Sequence, residues 1–196
     1  MAFNFLNKSE VKTLASSFFI IMLFFQSGCT RVAYEKNVLL LDRDYYPQVK
    51  RLINNAKKSI HLMMFEASYY KKYPESPSNQ LIRALINAKK RGVSVEVILE
   101  VKNKNERTTK RNLETGRILQ KEGIDVIVDP EDITTHTKLI IIDGRIIILG
   151  STNWTFNALN KNHEISTVIH SEETAEEVLD YFQMVKNSGK NLKTFN

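Results

Sequence analysis

The chain has 196 residues, 42% apolar and 26% charged, the balance of an ordinary globular protein and enough length for one domain with a buried core. Its formal charge of +6 suits anionic partners, nucleic acid or an acidic membrane surface, without selecting between them. The single cysteine, Cys29, excludes an intramolecular disulfide framework and any metal cluster built on paired cysteines.

Residues 1–28 read as an export signal. Lys8 and Lys12 precede an apolar run of 12 residues, Leu14 to Phe25, and Gln-Ser-Gly-Cys follows it. That run is well short of the roughly 20 residues that span a bilayer. Ser27-Gly28-Cys29 resembles a bacterial lipoprotein cleavage site, in which Cys29 becomes the lipidated first residue. Gln26 departs from that pattern, which has an aliphatic residue there. The expectation is an exported bacterial protein, either a membrane-anchored lipoprotein (periplasmic or at the cell surface) or a secreted one. Residues 29–36 would form a tether and residues 37–196 one domain. A plain cleaved signal, an uncleaved anchor and a buried helix are the other readings of this segment.

From residue 37 the elements follow in order. Asn37 to Leu41 reads as a strand. Pro47 suits the first turn of a helix whose Val49, Leu52, Ile53 and Ala56 recur at helical spacing. Ser59 to Ser68 reads as a buried strand, and the Tyr- and Pro-bearing stretch from Tyr69 to Asn79 as a loop. An amphipathic helix from Gln80 closes on a cationic last turn and Gly92. Val93 to Val101 is a strand. A charged loop and a helix ending at Gly123 follow, then a strand from Ile124 to Asp129. Two apolar strands flank Asp143-Gly144, Glu164 to His170 is a further strand, and Ser171 opens a last helix to about Asn187. Strands alternating with helices of this length predict an α/β fold: an α-β-α sandwich with helices on both faces of the sheet. The hairpin makes that sheet mixed parallel and antiparallel.

The hairpin carries the chemistry. Asp-Gly between apolar runs signals a two-residue turn, because both central positions need positive φ. Counted outward from such a turn, Ile142 pairs with Arg145, Lys138 with Leu149 and His136 with Ser151. Opposed and alternate residues share a face, so His136, Lys138 and Ser151 would converge at the open end, with Asn153 just beyond. Asp143, seven residues from His136, would lie about 20 Å away at roughly 3.3 Å per residue, which predicts a structural role for it. A three-residue turn would shift this register by one. Imidazole supplies a nucleophile or general acid, lysine a cation, and Asn and Ser neutral donors to oxygens that gain charge. This set suits a phosphodiester better than a neutral amide. No histidine here has metal-ligand spacing, and no metal or other cofactor is expected.

His136-x-Lys138-x4-Asp143-x6-Gly150-Ser151-x-Asn153, followed by Trp154-Thr155 and a downstream Glu164, resembles the HKD motif of the phospholipase D superfamily. The surrounding architecture is similar from about Val38 to Asn187. The resemblance implies a metal-independent phosphodiesterase working by two displacements through a phosphohistidine. A second histidine protonates the leaving oxygen, so two motifs are needed. This chain has one motif and is similar to the short single-motif branch, which implies a homodimer with the site at the interface. It further implies that His136 is nucleophile in one subunit and acid in the other. Lys138 and Asn153 would hold phosphate oxygens with help from Ser151, and Glu164 would orient a histidine. The expected function is a nuclease, most simply an endonuclease acting on DNA or RNA. The alternatives are a phospholipase D acting on phospholipid and an inactive nucleic-acid-binding module.

Other features have plainer readings. His61 alternates with Met63 and Phe65 and reads as a satisfied core histidine, and His163 as a structural or rim residue. Glu100-x-Lys102 resembles the Glu-x-Lys of metal-dependent nucleases but lacks a suitable upstream aspartate. Lys102, Lys104, Arg107, Lys110 and Arg111 make either a groove for a polyanion or a solvated helix face. The Tyr69–Pro77 loop is the candidate for lipid contact.

Overall fold

The structure is a computed structural model that describes residues 37–194 apart from 104 and 131. The export signal, the tether and Cys29 lie outside the described residues. Among the described residues, no helix is long and apolar enough to cross a membrane.

The strands are β1 (Val38–Leu41), β2 (Ser59–Met64), β3 (Ser94–Leu99), β4 (Asp125–Val128), β5 (Lys138–Ile142), β6 (Ile146–Gly150), β7 (Ile165–His170) and β8 (Lys190–Asn191). The helices are α1 (Tyr45–Asn55), α2 (Pro77–Lys90), α3 (Arg107–Lys121), α4 (Phe156–Asn160) and α5 (Glu172–Ser188). One sheet runs β1-β7-β6-β5-β2-β3-β4-β8, with β2, β3 and β4 parallel and every other pairing antiparallel. The expected α-β-α sandwich with a mixed sheet is therefore the fold. Two short elements, α4 and β8, are additions to the expected set; neither is long enough to carry a periodic signal.

The parallel strands end in uninterrupted apolar runs, Leu62–Met64, Val97–Leu99 and Val126–Val128, because helices cover both sides there. Leu62, Met64, Val97, Leu99, Val126, Ile140 and Ile148 face α1, α2 and α3 across the larger core. Met63, Ile98, Ile141 and Ile147 face α5, chiefly Ala175 and Phe182. Ser76 caps α2 ahead of Pro77, and Ser171 caps α5 by accepting from Thr174 N at 3.1 Å.

The hairpin turn departs from expectation. Asp143, Gly144 and Arg145 form a three-residue turn, so Ile142 pairs with Ile146 and Ile140 with Ile148. Asp143 and Gly144 do take positive φ, +55° and +63°, as the dipeptide predicts. Packing decides the register. A two-residue turn would set Arg145 opposite Ile142 on the face that packs against the helices. One more turn residue leaves Arg145 exposed and matches isoleucine to isoleucine.

His61 also departs in detail. It is buried against the edge of the Phe182 ring, centroids 5.2 Å apart, but its Nδ1 has no hydrogen-bond partner among the described residues. Burial holds its pKa below the ordinary value, with Glu96 opposing and Lys186 adding to that shift, so the ring stays neutral. It is a core histidine, though not a satisfied one.

Candidate active site

The sequence motif occupies both ends of the β5–β6 hairpin. At the turn, desolvation raises the pKa of Asp143 while backbone donors lower it, and the net direction is down. Its carboxylate accepts from the amides of Lys57, Lys58 and Ser59, at 2.7 Å for Lys58. Its own N–H donates to Ser59 O at 2.9 Å. Asp143 thus ties the turn to the start of β2.

At the open end the chain approaches β5 through an irregular segment. Thr135 is buried and His136 exposed. The His136 ring meets Phe65 edge-on, centroids 4.5 Å apart. Lys138 is buried, with Nζ 4.8 Å from the Phe65 ring centre, and it donates to His136 O at 2.8 Å. Burial pushes the Lys138 pKa down, and Glu164 opposes that by its charge. An aromatic face, a carbonyl and a nearby carboxylate thus keep a dehydrated ammonium beside the imidazole.

The revised register puts Ser151 opposite Ile165 on β7 and on the α5 side of the sheet, one position out of phase with Lys138. His136, Lys138 and Ser151 therefore do not line one face as the two-residue turn implied. They lie instead along the edge that the strand ends of β5 and β6 form, where Glu164 binds Ser151 and acts on Lys138 by its charge. Ser151 Oγ donates to Glu164 Oε2 and accepts from Ile165 N at 3.1 Å. Asn162 Nδ2 takes the other carboxylate oxygen at 2.9 Å. Within one chain these are the partners of Glu164, and no histidine is among them. Asn153 Oδ1 is buried without a hydrogen-bond partner among the described residues. An orphaned acceptor of this kind is costly and is tolerated where function needs it.

Gly150 has a steric reason. A Cβ there would collide with Ser166 Oγ and with the backbone of Ile165 and Ser166. Only glycine lets β7 lie this close to β6 and bring Glu164 to Ser151.

Several supporting residues surround the site; Trp154 was read beside the motif, whereas Asp42 and Asn112 gave no sequence signal. Asp42, itself at φ +49°, accepts from Glu164 N at 2.7 Å and donates its own N–H to Glu164 O at 2.9 Å. Its carboxylate also pairs with exposed His163 at 3.1 Å. That bond from the Glu164 amide is the largest cause of its lowered pKa, with His163 next. Trp154 is fully buried and donates to Tyr45 Oη at 3.1 Å. Asn112 of α3 fixes two loops at once. Its Nδ2 donates to Phe65 O at 2.7 Å and Glu100 O at 2.8 Å, and its Oδ1 accepts from Ala67 N at 2.9 Å. Among the described residues, no cluster of three acidic, histidine or cysteine side chains could hold a metal ion.

Beside this edge is a cavity of about 710 Å³ lined by Glu66, Tyr70, Tyr73, Arg107, Arg111 and Phe156, among others. Arg111 pairs with Glu66 at 2.6 Å.

The profile of the family described as "Cardiolipin synthase, PLD-like domain" matches residues 49–186, a span that holds every motif residue from His136 to Glu164. The chain belongs to the phospholipase D superfamily. Its superfamily relatives include the phospholipase D of Rickettsia conorii, 36% identical over 127 residues, which are 65% of this chain and 56% of that protein. The chain thus spans little more than half the length of that relative. Among solved structures, the phospholipase D family member Nuc from Salmonella typhimurium superposes with a TM-score of 0.66 at 25% identity, over 80% of this chain and 98% of its own. NucT from Helicobacter pylori superposes with a TM-score of 0.64 at 22% identity, over 80% of this chain and 99% of its own, a likeness of fold. The superfamily is one of phosphodiesterases.

Proposed function

We propose that the protein is a metal-independent phosphodiesterase that cleaves nucleic acid through a phosphohistidine on His136, working as a homodimer. The observation that carries this reading is the pairing of an exposed imidazole with a buried, dehydrated ammonium at one edge of the sheet. Lys138 presents a fixed cation where phosphate oxygens gain charge, and a low-dielectric setting strengthens its pull. Asn153 and Ser151 stand nearby as neutral partners for the same oxygens.

In the first step a His136 ring nitrogen attacks phosphorus, the P–O bond to the leaving group breaks, and the partner subunit's His136 gives that oxygen a proton. In the second step that same imidazole takes a proton from water, whose oxygen displaces His136 from phosphorus. One imidazole cannot stand on both sides of an in-line displacement, which is why the reading requires a dimer. An uncovered apolar area beside Ser151 supports it. Leu39, Leu41, Leu149 and Ile165 are 62%, 52%, 39% and 54% exposed on the side of the sheet whose other end α5 covers. Contiguous apolar surface of this kind fits an interface.

The cavity favours a nucleic acid over a lipid. Its tyrosines and Phe156 offer faces for base stacking, and Arg107, beside the Arg111–Glu66 pair, offers charge to a phosphate chain. A phospholipase D activity on phospholipid is the second reading, supported by the R. conorii relative's name. Lipidation of Cys29 would hold the exported protein at a membrane under either reading.

The test is incubation of the purified protein, in EDTA, with single- and double-stranded DNA, RNA and phosphatidylcholine vesicles, beside His136→Asn. Nucleic-acid cleavage that survives EDTA and disappears in the variant supports the nuclease. Head-group release with intact nucleic acid transfers the assignment to phospholipase D. Nucleic-acid binding with neither cleavage nor a trappable phosphohistidine would leave an inactive binding module.

A further inference from the structure

Beneath His136 lies a pair of acids that the mechanism does not use. Glu100, just past β3, is 3% exposed, and so is Asp129, just past β4. Both carboxylates reach the same donor. Thr135 N–H lies 2.6 Å from Glu100 Oε2 and 3.1 Å from Asp129 Oδ2. Asp129 Oδ1 accepts in addition from Val101 N at 2.9 Å. Thr135 directly precedes His136, and residues 134–137 lead into β5 without regular structure.

We propose that Glu100 and Asp129 are positioning residues, which hold His136 at its reacting place by a joint grip on the Thr135 amide. The inference rests on the phosphodiesterase reading of His136. Two carboxyl groups are more than one N–H needs, and two buried like charges side by side are unfavourable. The conflict is resolved if one of them keeps a proton and donates it to the other. Glu100 is the one that keeps it. Desolvation first, then the hydrogen bond to Asp129 and that residue's charge, raise its pKa to about 8. The groups that act on it are few. Asp129 comes from the end of β4, Lys102 from beyond β3 partly offsets the rise, and the loop contributes the Thr135 amide. From α3 comes the neutral Asn112, bound to Glu100 O.

The arrangement is built into the fold. β3 and β4 are adjacent and parallel, so their C-terminal ends bring the two acids together, and the chain passes over them on its way to β5. With one proton the pair is a closed clamp. Without it, two buried anions compete for one amide, and the segment carrying His136 loosens. Activity therefore declines as pH rises through about 8, in kcat and not in KM, because Lys138 and the cavity residues still hold substrate. A misplacement of about 1 Å is enough to cost roughly 10²-fold in rate.

The test uses the full-length chain as Glu100→Gln and Glu100→Ala, with two readouts. Glutamine copies the protonated acid, since its amide donates to Asp129 and its oxygen accepts from Thr135. Glu100→Gln should keep neutral-pH activity within about twofold and lose the alkaline decline. Glu100→Ala should lose kcat by about 10²-fold with KM nearly unchanged. The second readout needs no activity: in protein ¹⁵N-labelled at threonine, the Thr135 amide should shift with a midpoint near 8, and Glu100→Gln should abolish that shift. That titration in a protein that cleaves nothing keeps the clamp and removes the phosphodiesterase. Cleavage with no such titration, or with the alkaline decline intact in Glu100→Gln, overturns the clamp and keeps the enzyme.

Discussion

The two ends of the β5–β6 hairpin share one sequence motif and do opposite things with their polar groups. At the turn, the Asp143 carboxylate is used up on three backbone amides and its own N–H is paired as well. At the open end a lysine is buried with a lowered pKa, an asparagine oxygen is buried without a partner, and an imidazole stands exposed. One end is saturated and the other is not. Saturated hydrogen bonding stabilises a fold, whereas unspent donors and acceptors are what a transition state can recruit. Motif membership alone does not distinguish these roles; the partners of each side chain do.

Substitutions at the two ends should therefore separate activity from stability. The largest effect is expected at His136. His136→Asn should lower phosphodiester cleavage by roughly 10⁴-fold, since it removes nucleophile and acid together. Its thermal midpoint should match the parent protein, because the exposed ring keeps only its contact with Phe65. A fall of several degrees in melting temperature would mean that the open end also supports the fold.

Lys138 sharpens the contrast. Lys138→Met should cost about 10²–10³ in kcat, through lost stabilisation of phosphate charge. Methionine fills the same apolar space without a desolvated ammonium, so stability should be unchanged or higher by about 1 kcal/mol. A variant that is both inactive and clearly destabilised would show that the lysine's bond to His136 O matters more to the fold than its charge does to catalysis.

The legibility of the chain in sequence follows the same divide. Apolar strands, the Ser171 cap and the Asp-Gly turn were all readable because each is a local pattern with a local cause. The register was not, since one residue of turn length depends on whether Arg145 would face a core that only the assembled sheet defines. The candidate residues His136, Lys138, Ser151 and Asn153 were visible as a spaced motif. Their supports were not: Asp42, Phe65, Asn112 and Asp129 reach the site from four separate segments, and nothing local marks them. Glu100 was visible only as part of a Glu-x-Lys pattern whose metal-nuclease reading lacked an upstream aspartate. In the fold its partner is Asp129, 29 residues on in the chain and adjacent only because β3 and β4 pair in parallel.

Asp143 gives the converse experiment. Asp143→Ala removes the carboxylate acceptor of three amides and asks alanine to hold φ near +55°, so it should cost about 2–4 kcal/mol. In a chain of this size that lowers the melting temperature by roughly 5–15 °C. Asp143→Asn keeps tolerance of positive φ and one acceptor oxygen, and should cost about half as much. The pH dependence has a definite sign. The folded pKa of Asp143 lies below its ordinary 3.8, so its stabilisation is fully present above 3.8 and is lost as pH falls from there through the folded pKa. Either variant should flatten the acid side of the stability curve while cleavage per folded molecule stays within a few-fold of the parent. A turn variant that folds normally but cannot cleave would join the two ends into one functional unit, and the division argued from their hydrogen bonding would fail.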